Sequence, residues 1–203
     1  GGRGVLAGAA LGLLAGLPGP AAAEHQYCIV GAGPAGVQLG HFLHHAKRDY
    51  VIFEINQRAG SFFERYPRHR KLISLNKRFV REGRSAEFAL RHDWNSLLDV
   101  REEGNRTRPM TQRSKELFPH ADVLANYISE FAEEQRGAIR YGTEVSNLRR
   151  SESGTGFLLD LRPVTAAPTA GDVETARCRE VIVATGFWRP RGVKAKIDGA
   201  EYV

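Results

Sequence analysis

Apolar residues recur along this chain with two different periods, and the switches between them mark out its elements. Tyr27, Cys28, Ile29 and Val30 form a short apolar run rich in strand formers, the mark of a buried strand. Val37, Leu39, Phe42, Leu43 and Ala46 then supply the apolar side of a helix from about Pro34 to Lys47. Tyr50 to Phe53 predicts a second strand. Much later, Val123, Leu124, Tyr127, Ile128 and Phe131 repeat at helical spacing, so a helix is expected from about Asp122 to Gln135, ended by Gly137. Ile139 to Tyr141 reads as a third parallel strand. Glu144 to Leu148, Gly156 to Leu161 and Val173 to Arg177 alternate apolar with polar and are separated by turn residues, which predicts an antiparallel meander. Glu180 to Ala184, EVIVA, is a last buried strand ending in Thr185 and Gly186.

Between Asn56 and Pro119 neither period holds. Long irregular insertions in a compact domain are functional or disordered. Within this one, Leu72 to Leu75 is expected to form a short strand delivering Asn76. Phe79, Phe88, Trp94 and Phe118 are aromatics that either cover a planar ligand or make core.

The junction between the first strand and the first helix carries the chemistry. Gly31, Gly33 and Gly36 stand at the spacing G-x-G-x-x-G, and Glu54 follows at the tip of the second strand. Gly31 permits the tight turn, Gly33 lets backbone approach a pyrophosphate, and Gly36 lets the helix pack on the strand. The helix start offers free N–H groups and a positive dipole end to phosphates. The Glu54 carboxylate can accept hydrogen bonds from ribose hydroxyls and would repel the 2′-phosphate of NADP. Strand, glycine turn, helix, strand and acid in this order predict a dinucleotide site.

Composition is that of an ordinary soluble protein, with 42% hydrophobic and 26% charged residues and a net charge of +6. The surplus is local: eight Arg or Lys lie between Phe62 and Arg84 against only Glu64 and Glu82. This is either a solvated basic loop or a surface that meets phosphates. No nucleic-acid reader motif accompanies it, so nucleic acid is not expected as a partner.

At the N-terminus, Arg3 precedes the apolar run Val5 to Leu17, then Pro18-Gly19-Pro20 and three alanines. This reads as a signal peptide over residues 1–23, cut near Ala23, too short to span a bilayer, with the folded domain expected over 24–203. A luminal protein would present Asn105-Arg106-Thr107 as a glycosylation sequon. The lone methionine, Met110, makes the chain look like part of a longer one. Cys28 and Cys178 belong to no C-x-x-C pair and are expected to be buried free thiols. His41 and His45 have metal-ligand spacing on the first helix. No third ligand stands nearby in sequence, so exposed helix residues and no metal are expected.

GAGPAG with Glu54 at the front, and Val183-Ala184-Thr185-Gly186 with Pro190 at the back, resemble the two-dinucleotide-binding flavoproteins, among them the flavin-containing monooxygenases, Baeyer–Villiger oxygenases and thioredoxin reductases. The resemblance covers roughly Tyr27 to Val203 and implies an α/β fold: a three-layer, Rossmann-like FAD-binding domain with a β-meander. It implies that Gly31, Gly33, Pro34, Ala35, Gly36 and Glu54 hold the ADP half of FAD. By the same resemblance the Val145 backbone meets adenine, and Ala184, Thr185 and Gly186 close against the flavin. Asn76 then lies beside the isoalloxazine ring. NADPH is expected in a part beyond Val203. HQYCIVGAGPAG, AGSFFERYPRHRKLISLNKRF, RHDWNSLL and IDGAEYV are similar to the endoplasmic-reticulum branch of these proteins. That similarity implies a luminal oxidoreductase whose partners are misfolded glycoproteins and the machinery that degrades them. The other reading is a non-catalytic, flavin-bound module that recognises non-native chains. No proton-transfer catalyst is identified, although Asn76 and Arg70 are the residues to watch.

Overall fold

The computed structural model describes residues 24–79, 85, 88, 92–152, 154–164 and 172–186. The expected leader and the segment after Gly186 lie outside these residues. Strand β1 (Glu24–Val30), helix α1 (Pro34–His45) and strand β2 (Tyr50–Phe53) form a right-reading βαβ start. Helix α2 (Ala121–Ala132) follows the insertion, then β3 (Ile139–Arg140), β4 (Thr143–Arg150), β5 (Phe157–Pro163) and β6 (Glu174–Val183). Among the described residues the strands make one sheet in the order β3-β2-β1-β6-β5-β4. The β3-β2-β1-β6 half is parallel and the β6-β5-β4 half is antiparallel.

The pleat explains the layers. Along β2 every residue is buried, because each face of a central parallel strand is covered. On one face Ile29 and Ile52 pack with Val37 of α1 and with Leu124, Tyr127, Ile128 and Phe131 of α2. On the other, Cys28, Val51 and Phe53 pack with Leu159 and Leu161 of β5 and Ala176 of β6. The meander therefore supplies the third layer. No helix of the described residues is long and apolar enough to cross a membrane.

Four expectations change. The segments 173–177 and 180–184 are one strand: its first half pairs with β5 and its second with β1, so the charged interruption at Arg177, Arg179 and Glu180 sits where β6 changes partner. Cys28 and Cys178 are not free thiols but form a disulfide, with Cα atoms 5.9 Å apart and both residues fully buried. Because β6 begins at Glu174, Cys178 lies inside a strand that runs beside β1 rather than ahead of it. Leu72 to Leu75 is not a strand: a single bridge joins Lys71 to His120, and the run is held beside residues 117–119 by the Leu72 N–H on Pro119 O and the Asn76 N–H on Leu117 O. Finally, His41 is fully buried, not exposed. Of the insertion's aromatics, Phe79 and Trp94 are 86% and 80% exposed, so neither makes core.

Candidate functional site

Three strand ends and one helix start converge at the carboxyl edge of the parallel sheet, where open α/β sheets bind ligands. The Gly31 N–H donates to Phe53 O at 2.8 Å and the Ala184 N–H to Val30 O at 2.9 Å, which fastens the ends of β2 and β6 to β1. Gly31 has φ of +105°, and a Cβ there would fall 2.8 Å from Ala184 O. Both facts restrict the position to glycine. The G-x-G-x-x-G turn and the Ala184-Thr185-Gly186 turn thus meet, although nearly 150 residues separate them. Gly36 lies so close under the turn that a Cβ would sit 2.0 Å from Gly31 O.

Gly33 behaves differently. It is in extended backbone as the N-cap of α1, and a Cβ built on it meets nothing within 4 Å. Packing against the described residues does not require glycine here, although glycine is also an acceptable N-cap. The open space lies at the start of a 12-residue helix. Pro34 at its first position brings no N–H, so the first-turn donors are those of Ala35 and Gly36. Space beside a positive helix end suits a pyrophosphate.

Glu54 is only 6% exposed and accepts three hydrogen bonds from the chain itself. The Ala32 N–H reaches Oε2 at 2.7 Å, while the Asn56 N–H and Nδ2 reach Oε1 at 2.9 and 2.7 Å. With about four lone-pair directions on a carboxylate, one remains, on Oε2, for a ribose hydroxyl. The turn after β2 is pinned in turn: Gly60 N–H donates to Ala32 O at 3.0 Å, and Gly142 N–H to Asn56 O at 3.0 Å. Asn56 and Gly60 were not singled out in the sequence. An amide two residues past the strand-end acid was the available signal for Asn56.

The remaining site residues lie at varying removes. Val145 is on β4, two residues after Thr143, whose N–H donates to Glu54 O at 2.9 Å. The β4-β5 ladder slips between Val145 and Asn147, and Val145 packs on the core beneath Phe53. Thr185 and Gly186 are exposed. Asn76 is 4% exposed and donates from Nδ2 to Ser114 O at 2.9 Å, which leaves its buried Oδ1 without a partner. Among the described residues no hydrogen bond joins Asn76 to the glycine turn. Arg70 is committed to Asp122 at the start of α2. Much of the basic loop is spent similarly: Lys71 pairs with Glu116, Lys77 Nζ donates to His92 O at 2.6 Å, and Arg78 donates to Lys115 O at 3.4 Å. Asn105 stands exposed at the end of the turn Glu103–Asn105.

The family model for pyridine nucleotide-disulphide oxidoreductases matches residues 28–203. The chain belongs to that family. Two curated relatives are named FAD-dependent oxidoreductase domain-containing protein 2. The Danio rerio protein is 43% identical over 84% of this chain, and the Mus musculus protein 38% identical over 89%. The chain spans 23% and 25% of their respective lengths. Among solved structures, OTEMO in complex with FAD and NADP aligns over 85% of this chain and 28% of its own, with TM-score 0.58 and 19% identity. The bacillithiol disulfide reductase of Staphylococcus aureus covers 81% of this chain and 39% of its own, with TM-score 0.54 and 18% identity. These likenesses show the fold: a Rossmann-like α/β domain in which a glycine turn follows the first strand.

Proposed function

We propose that this chain binds FAD by its ADP half and is the FAD-binding part of an NADPH-linked oxidoreductase. The observation that carries the proposal is Gly33, the one glycine of the turn whose missing side chain leaves open space at the helix start. The residues fit the group. Ala35 and Gly36 N–H groups at the helix start face the pyrophosphate space, the free Oε2 direction of Glu54 receives a ribose hydroxyl, and Ala184 to Gly186 close the far wall. Asn76 Oδ1 is an oriented acceptor in need of a donor. Bound FAD supplies the hydride and electron transfer. The chain supplies position, an acid at the strand tip that disfavours a 2′-phosphate, and a wall that keeps Gly31 and Ala184 in contact. The names of the curated relatives support FAD as the cofactor.

The compartment is proposed to be the endoplasmic reticulum lumen, with misfolded glycoproteins as partners. The buried disulfide supports an oxidising compartment. The exposed Asn105 sequon and the apolar run at residues 5–17 agree with it. The role in glycoprotein disposal rests on the resemblance alone. One observation favours a second reading, a recognition module: Ile73, Phe79 and Trp94 are each at least 80% exposed, and apolar side chains of this kind meet non-native chains. The absorbance spectrum of the full-length protein, before and after NADPH, decides between them. Flavin bands that bleach support the oxidoreductase; flavin bands that persist support the module. A colourless protein refutes FAD binding. N-terminal sequencing of the mature protein that still found Val5 to Leu17 would refute the luminal reading.

A further inference from the structure

His41 and His45 lie one turn apart on α1, and the fold brings Glu134, from the turn after α2, against both. Glu134 Oε1 contacts His41 Nδ1, and Oε2 lies 3.4 Å from His45 Nε2. One ligand atom from each residue lies within 4.8 Å of the other two. We propose that His41, His45 and Glu134 form a binding site for a zinc-type divalent cation.

The donor set is two imidazoles and a carboxylate, with two histidines at i and i+4 on one helix face, an arrangement that suits zinc. A metal-bound histidine donates its other ring N–H to a carboxylate, a backbone carbonyl or water, and Asp99 Oδ1 lies 3.7 Å from His41 Nε2. In the metal-free arrangement that nitrogen accepts the Val100 N–H at 3.0 Å, so the ring proton sits on Nδ1 facing Glu134. An ion on Nδ1 would require this proton to move to Nε2, the Val100 N–H to turn away from that nitrogen, and Asp99 Oδ1, 3.7 Å away, to move in as its acceptor. His45 is 35% exposed, which leaves a solvent-side path for the ion. Arg101, 3.6 Å from Glu134, is neutralised by Asp99 and limits how tightly the ion is held. Phe42 occupies the position where hydrolytic zinc helices carry their general base, so the ion ties α1 to α2 and has no hydrolytic role.

The test uses the untagged full-length protein, stripped with EDTA and titrated with Zn(II) against a chromophoric chelator. One zinc per chain at micromolar affinity or tighter is expected, with the His45→Gln variant at least tenfold weaker and Asp99→Asn about tenfold weaker. His45→Gln is partly exposed, so its melting temperature in EDTA should match the parent and show that the variant folds. Co(II) should give visible bands that His45→Gln loses. No stoichiometric uptake, or uptake unchanged in a folded His45→Gln, overturns the site.

Discussion

The disulfide between Cys28 and Cys178 joins two fully buried residues of neighbouring strands. It closes a loop with a sequence separation of 150 residues. The chain-entropy relation then gives roughly 5 kcal/mol of stabilisation at 25 °C. Domains are stable by about 5–15 kcal/mol in all, so the link accounts for a third or more of the total. Cys28→Ala, Cys178→Ala and the double variant should be compared by urea unfolding followed by circular dichroism. Each single variant should lose about 5 kcal/mol, and the double variant about the same rather than twice as much, because either change breaks the same bond. Both sulfurs are fully buried, so reductant should leave the native parent unchanged and act only where urea has already opened it. Additive losses, or a loss below about 1 kcal/mol in either single variant, would mean that the staple does not restrain the unfolded chain as reasoned.

Three further outcomes are expected. Gly33→Val should cost no more than about 1 kcal/mol, the loss of a favoured N-cap, because the new side chain meets no protein atom, while releasing the cofactor, read as flavin fluorescence after denaturation. Full flavin occupancy would sink the phosphate-site assignment. Glu54→Ala should destabilise the cofactor-free protein by roughly 1–3 kcal/mol, since three donors lose their acceptor; thermal melts of the apoprotein check it, and an unchanged melt refutes the preorganised acid. Hydrogen-bonded Arg140 holds the Glu174 carboxyl below its ordinary value of 4.5. Its folded-state affinity for protons is reduced, so its contribution is complete above about pH 4.5 and fades as pH falls through the folded value. Both partners are 40–50% exposed, so screening keeps the effect small. Arg140→Gln should lower the melting temperature slightly at pH 7, with a loss that shrinks as the pH falls below about 4.5; an equal loss at every pH would refute the pairing.

What the sequence revealed divides along physical lines. Tyr50 to Phe53 was legible residue for residue, since a strand buried on both faces has no polar interruption. The glycine turn and Glu54 were legible because their spacing is set by backbone geometry within one local unit. Features that depend on distant segments meeting were not. Arg177, Arg179 and Glu180 broke the apolar pattern of β6, which hid that one strand serves two neighbours. The disulfide went with it, though an even cysteine count behind an expected signal peptide was a usable cue. His41 reads as a helix-surface residue until Glu134 arrives from 93 positions away.

The contact between Gly31 and Ala184 has a bearing on how the protein is made. One wall of the cradle is translated near the beginning of this stretch and the other at its end. At about 5–20 residues per second, the ribosome needs roughly 10–30 s to pass from one to the other. During that interval β1, α1 and β2 can assemble locally, but β1 lacks its β6 neighbour and Cys28 waits as a thiol. Loop closure over so long a span is also slow in itself. Cofactor capture is therefore a late event in biogenesis, governed by the arrival of β6. A nascent chain stalled before Ala184 should hold no flavin, however complete its glycine motif.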